Sequence, residues 1–146
     1  MPSLLKLLVL ATRAVEDELN AELRARLPGD LRPAHYAVFR YLDPAGSRVG
    51  DLADAAGMTQ QSMGELVGRL EAAGLVRREV DPGDRRARRV VCTPAGDAAL
   101  RLAGVRLAGI EERVRADVGA DGVARLRELL AGVVAVLDGS DDAMSG

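Results

Sequence analysis

Between Val49 and Thr93 the chain changes its hydrophobic rhythm several times, and the order of those changes constrains the fold more than any other feature. Val49-Gly-Asp-Leu-Ala-Asp-Ala-Ala-Gly57 reads as a short helix closed by a turn glycine. Thr59 to Ala73 reads as a second helix ended by Gly74, and Leu75-Val-Arg-Arg-Glu-Val80 reads as a strand. The loop Asp81-Pro-Gly-Asp-Arg-Arg-Ala87 reverses the chain, and Arg88-Arg-Val-Val-Cys-Thr93 returns beside the first strand. A helix–turn–helix followed at once by an arginine-loaded hairpin suits the grooves of duplex DNA.

The distribution of charge supports that reading, although the formal net charge of −2 alone argues against a polyanionic partner. From Arg69 to Arg89 there are seven arginines, Arg69, Arg77, Arg78, Arg85, Arg86, Arg88 and Arg89. They face four acids, Glu71, Glu79, Asp81 and Asp84, which leaves a local balance of +3 on an otherwise acidic chain. A basic patch on an acidic body is an electrostatic footprint aimed at one surface. The alternative is a solvated hairpin whose charge is incidental.

In the second helix of this unit, Met63, Leu66, Val67 and Leu70 recur at i, i+3, i+4 and i+7 and face the core. The opposite face carries Gln61, Glu65, Gly68 and, to one side, Arg69, with Thr59, Gln60 and Ser62 in the first turn. Amides, hydroxyls and a guanidinium match base edges in a major groove, and the first turn offers backbone N–H groups to a phosphate. Thr59, Gln60, Gln61 and Ser62 are the residues best placed to reach DNA, with Glu65 and Arg69 further along. Gly64 and Gly68 each cost about 1 kcal/mol of helix propensity relative to Ala. Either they let the helix lie close to the groove or they reflect a glycine-rich composition.

At the hairpin tip Pro82-Gly83 supplies turn chemistry. Asp84 and Arg86 lie two apart on an extended segment, a spacing that predicts an ion pair orienting the guanidinium. Arg85 or Arg86 then suits the minor groove, whose negative potential attracts arginine. Arg77, Arg78, Arg88 and Arg89 suit flanking phosphates.

The remainder reads as helix. Ser3 caps a long helix running to about Leu27, Pro28-Gly-Asp30 breaks it, and Pro33 begins another that ends near Asp43-Pro-Ala-Gly46. Thr93 caps a long helix with Pro94 in its first position, reaching about Val118. Gly119-Ala-Asp-Gly122 forms a break with Asp121 as cap, and Val123–Leu137 forms the last helix. The expected fold is mainly α with a small β-hairpin: a winged helix–turn–helix with long N- and C-terminal dimerisation helices. Its parts are residues 1–30, a DNA-binding region 31–93, C-terminal helices 94–138 and a flexible tail 139–146. The end helices carry more apolar surface than a small wing domain covers, which signals a homodimer. An extra intramolecular helical layer is the alternative.

Other function classes find little support. Tyr36, Phe39 and Tyr41 are the only aromatics, too few for stacking on single strands. The apolar runs fall short of the ~18 residues a membrane span needs, and the start of the chain lacks a signal-peptide pattern, so a cytoplasmic protein is expected. One Cys and one His form neither a zinc site nor a catalytic triad, so no cofactor, metal site or enzyme is expected. Cys92 reads as a small strand hydrophobe, with a redox thiol as the alternative.

Three stretches together resemble the MarR family of transcription regulators: Leu70-Glu-Ala-Ala-Gly-Leu-Val-Arg-Arg78, Asp81-Pro-Gly-Asp-Arg-Arg86 and Val91-Cys-Thr-Pro-Ala-Gly96. The likeness extends upstream to Leu31-Arg-Pro-Ala-His-Tyr-Ala-Val-Phe-Arg-Tyr-Leu42. The resemblance implies a homodimer on a pseudo-palindromic double-stranded DNA operator, usually as a repressor. It also implies release of DNA by a small, often aromatic effector or an oxidant acting near the dimer–wing junction. His35 and Phe39, on the helix that begins at Pro33, are the candidate effector residues on that basis. Cys92 stands where the family pattern usually has Leu, and no cysteine lies near the N-terminus, so the family's thiol-based peroxide route is not expected. A ligand-responsive repressor is thus the leading function. A regulator without an effector and a winged module for protein contacts are the alternatives.

Overall fold

The computed structural model describes residues 1–26 and 31–142. The break expected at Pro28–Asp30 and the last four residues of the expected tail lie outside the described residues. Helix α1 spans Leu4–Arg24, and the Ser3 hydroxyl accepts the Lys6 N–H at 3.2 Å, as its capping position requires. Helix α2 spans Pro33–Tyr41, α3 Val49–Ala56 and α4 Gln60–Ala72. Strands β1 (Val76–Asp81) and β2 (Asp84–Cys92) pair antiparallel, and helices α5 (Pro94–Val118) and α6 (Ala120–Asp142) close the chain.

The turn between α3 and α4 depends on Gly57, which adopts φ +66°, a left-handed conformation at little cost only for glycine. Met58 N–H then donates to the Ala53 carbonyl at 2.8 Å, and Thr59 starts α4 by accepting the Ser62 N–H. This fixes the angle between the two helices. The core that supports them gathers Leu31 and Val38, Leu52 and Ala53 of α3, Met63, Val67 and Leu70 of α4, then Leu75, Val76, Val90 and Ala99. Leu66, expected with the core stripe, packs against this cluster while partly exposed.

The hairpin is tethered to the helices on both sides of it. Thr93 Oγ1 donates to the Gly74 carbonyl at 2.6 Å, and Thr93 N–H donates to the Leu75 carbonyl. A Cβ at Gly96 would overlap the Leu75 carbonyl oxygen, so only glycine lets α5 start this close to the end of α4. Towards α3, Ser47 and Val90 exchange two backbone hydrogen bonds of 3.0 and 2.7 Å, an isolated β-bridge that the sequence pattern does not reveal.

Several boundaries differ from expectation. Strand β2 begins at Asp84, so Arg85 and Arg86 belong to the strand and the turn is only Pro82-Gly83. Gly119 alone breaks the C-terminal helices. Helix α6 starts at Ala120, with Asp121 inside its first turn rather than capping it, and runs to Asp142. Residues 139–142, expected as flexible tail, are therefore helical. The chain divides into two compact units with the boundary after Leu107, inside α5. Within the second unit Arg127 and Glu111 pair at 2.6 Å. Among the described residues no helix is long and apolar enough to cross a membrane.

Candidate nucleic-acid interface

Helix α4 presents its N-terminal turn and one whole flank to solvent. Thr59, Gln60, Gln61, Ser62, Glu65 and Arg69 are all exposed, while Met63, Val67 and Leu70 are buried behind them. The polar groups are not equally available. Thr59 Oγ1 accepts the Ser62 N–H and donates to Ser62 Oγ at 3.0 Å, so the Ser62 hydroxyl proton is left to point outward. The Gln60 amide lies back over Gly50, where an added Cβ would sit 3.3 Å from Nε2. Gln61 and Glu65 have no hydrogen-bond or ionic partner among the described residues, which leaves their donors and acceptors free for base edges. Among the described residues nothing lies within 4 Å of a Cβ built on Gly64 or Gly68, so packing against them requires neither glycine.

The wing sorts its arginines into held and free. Glu79 on β1 sits directly opposite Arg89 on β2 and accepts its Nη2 at 2.6 Å and its Nε at 2.9 Å, with Arg77 3.4 Å away. The Arg89 guanidinium first, and then the charge of Arg77, holds the Glu79 carboxyl below the usual carboxylate range. Glu79 thus balances the charge of Arg89, whereas Arg77, 3.4 Å away and 55% exposed, shares a carboxylate already paired and leaves one net positive charge on this side of the wing. Arg78 Nη2 lies 3.4 Å from the Gly64 carbonyl and its N–H donates to Glu71, so this side chain lies against the middle of α4. Arg85, Arg86 and Arg88 are exposed and have no ionic partner among the described residues.

The position of those free arginines follows from an irregularity in the hairpin. Val80 pairs with Arg88 while Asp81 pairs with Asp84, which leaves Arg85, Arg86 and Ala87 without partners on β1. Extra residues on one strand bend it outward and re-aim its side chains. Asp84 Oδ1 accepts the Arg86 N–H at 3.0 Å and so stabilises the bulge through the backbone. The expected ion pair between Asp84 and the Arg86 guanidinium is not formed, because the carboxylate turns back onto the amide two residues on, an Asx-type turn.

His35 and Phe39 line two different hollows among the described residues. His35 is 8% exposed, and its Nδ1 accepts the Arg32 N–H at 2.8 Å, closing the start of α2. It lines an open hollow with Arg32, Glu65 and Arg69. Phe39 instead lines a small cavity of about 90 Å³ with Leu19, Leu23, Tyr36, Arg40 and Leu100, whose rim carries the 2.9 Å Arg40–Glu16 ion pair. Cys92 is half-buried, and burial first, then the Asp97 carboxylate, pushes its thiol pKa up, which disfavours the reactive thiolate. No cluster of three potential metal-ligating side chains occurs among the described residues. Arg48, which the sequence does not single out, lies beside the wing with Nε 2.9 Å from Asp81 Oδ2. No local signal marks it, since the two residues are 33 positions apart.

An exposed polar helix face beside unneutralised wing arginines defines a DNA-binding winged helix. The sequence profile of the MarR family matches residues 30–87, which span the helix–turn–helix and the wing tip. The transcriptional regulator HosA of Escherichia coli O111:H- is 38% identical over 92 residues, 62% of this chain and 67% of HosA. The chain belongs to the MarR family of transcription regulators, which are not enzymes. A structure of the transcriptional repressor CouR bound to a 23-mer DNA duplex is 27% identical with a TM-score of 0.72, covering 90% of this chain and 92% of CouR. Apo MarR from E. coli shares the fold at 23% identity and a TM-score of 0.73, over 91% of this chain and 98% of MarR.

Proposed function

We propose that this protein is a repressor that binds a pseudo-palindromic operator as a homodimer, with α4 in the major groove and the wing bulge on the adjacent minor groove. The observation that carries the reading is the pairing of a free polar face, Gln61 and Glu65 with the Ser62 hydroxyl, with three unneutralised guanidinium groups at Arg85, Arg86 and Arg88. Thr59 acts mainly by holding Ser62, Gln60 and Arg69 flank the base-reading face, Arg78 braces it, and Asp84 shapes the bulge. CouR, a repressor of similar fold, was captured on a DNA duplex, which supports the same mode here. Apolar side chains exposed on α1 and α6, such as Leu5 and Leu129, support a second copy as the dimer partner. A dimer reading half-sites about one DNA turn apart, roughly 34 Å, follows from that symmetry.

Control by a small apolar or aromatic effector is part of the same proposal. The cavity around Phe39 lies among α1, α2 and the start of α5, so an occupant there would bias one arrangement of these helices over another. His35 serves the start of α2 instead. Selection of bound sites from randomised duplexes is the direct experiment. The expected result is an inverted repeat whose binding weakens steeply with salt. Failure of the full-length protein to enrich any duplex would overturn the reading.

A further inference from the structure

A two-stranded ribbon is only marginally stable on its own in water, and this one loses its regular ladder at Arg85–Ala87. Its arginines therefore reach a fixed place on DNA only if something else holds the outer half. The segment Ser47–Arg48, just before α3, touches the hairpin at two heights. Near the root, Ser47 exchanges backbone hydrogen bonds with Val90. Near the tip, Arg48 Nε donates to Asp81 Oδ2 at 2.9 Å, while Asp81 Oδ1 accepts the Gly83 N–H at 2.8 Å. One carboxylate thus ties the turn to the last residue of β1 and ties both to the start of α3. The Asp81 side chain is 19% exposed and the Arg48 side chain 45%. Arg48 occupies the N-cap position of α3, but its side chain makes no capping hydrogen bond and turns to the wing instead.

We infer that Arg48 and Asp81 form a latch that fixes the wing tip against the helix–turn–helix, and that Asp81 promotes DNA binding although its charge repels the duplex. The inference rests on the proposed DNA-reading mode. Charge and position make opposite predictions for Asp81. By charge alone, removing an acid beside a polyanion strengthens binding. As half of a latch, removing it lets the bulge arginines wander and weakens binding.

The test combines DNA affinity with a distance measured without DNA. Asp81→Asn keeps an oxygen for the Gly83 N–H and removes the ionic half of the link to Arg48, and Arg48→Met removes the other partner. Both variants should bind the selected duplex about 3- to 10-fold more weakly, and the double variant no more weakly than either single one. Asp81→Glu, which keeps the charge, should recover part of the loss. Spin labels at Arg85→Cys and Ala55→Cys, in a Cys92→Ala background, should give a narrow distance distribution with the latch intact and a broad one with Asp81→Asn. Unchanged or tighter binding by Asp81→Asn, or single effects that multiply in the double variant, would overturn the latch. If the unaltered protein enriches no duplex, the DNA-reading proposal fails while the distances still decide: broadening upholds the latch, and identical distributions overturn it.

Discussion

The winged unit and the end helices are built from the same helical spacing of apolar residues, yet they end in opposite states. In the winged unit, Leu52, Met63, Val67 and Leu70 are almost wholly buried against one another. Along α1 and α6, Leu5 is 72% exposed, Leu129 51% and Leu137 65%. The first set closes its core within the chain because three short helices and a hairpin converge on it. The second set lies exposed on the long helices α1 and α6. An apolar stripe therefore shows that a helix face is meant to be covered, and the tertiary contacts show whether the cover is intramolecular.

The strongest way to break that comparison is to truncate one leucine in each region. Leu70→Ala should lower folding stability by about 2–5 kcal/mol in denaturant melts, because it leaves a cavity in a closed core. Leu129→Ala should barely change unfolding of a dilute chain. It should instead weaken self-association and flatten the rise of Tm with protein concentration. Equal losses in folding at the two positions would erase the distinction.

Next comes the assembly itself. Sedimentation at micromolar concentration should give a dimer, and a Leu5→Glu, Leu129→Glu double variant should shift it to monomer with DNA affinity reduced at least about tenfold, or about 1.4 kcal/mol. A monomeric unaltered protein would remove the dimer from the proposal. Within the winged unit, Arg86→Ala should cost about 1–3 kcal/mol of operator binding with the fold intact, since the side chain projects from a bulge. Arg89→Ala, whose guanidinium is already neutralised by Glu79, should cost less. An Arg86→Ala protein with unchanged affinity and salt slope would take the wing out of recognition.

Smaller effects sharpen the picture. Gly64→Ala should raise helix stability by up to about 1 kcal/mol, because none of the described residues occupies the added methyl's place. Loss of DNA affinity in that stabilised variant would show that the glycine serves close approach to the groove, and unchanged affinity would make it a composition effect. The smallest change is with pH. Glu79 and Asp81 have carboxyl pKa values lowered in the folded protein, so their contribution is complete above the ordinary carboxylate range and is lost as pH falls through the lowered values. Wing order, read from the spin-label distances, should be constant from neutral to mildly acidic pH and broaden only in stronger acid.

Much of this was legible in the sequence. Gly57, Gly74, Thr93 and Pro94 are local signals whose meaning depends on the residue's own backbone preferences and its nearest neighbours, and each stands where the pattern put it, while Thr59, read as the first helical residue, caps α4 instead. The α4 core stripe and its polar face follow from periodicity in the same way. Local pattern failed at Asp121, where one glycine already suffices to break the helix, and at Asp84, whose carboxylate finds an amide before it finds a guanidinium. The sequence count of seven arginines also said nothing about which are free. That division depends on cross-strand register, which sets Glu79 opposite Arg89, and on a bulge that register alone reveals.

By itself, then, the sequence determined the helices, the turns, the hairpin and the sign of the patch, because these depend on interactions between residues a few positions apart. Tertiary structure decided what residues far apart in the chain do to one another. It tied Arg48 to Asp81, set the single carboxylate of Glu79 against Arg89 and, more loosely, Arg77, and placed His35 and Phe39 at different hollows. It also left the apolar faces of α1 and α6 uncovered. The physical reason is that ion pairing and burial depend on distances through space, and those exist only once the chain has folded back on itself.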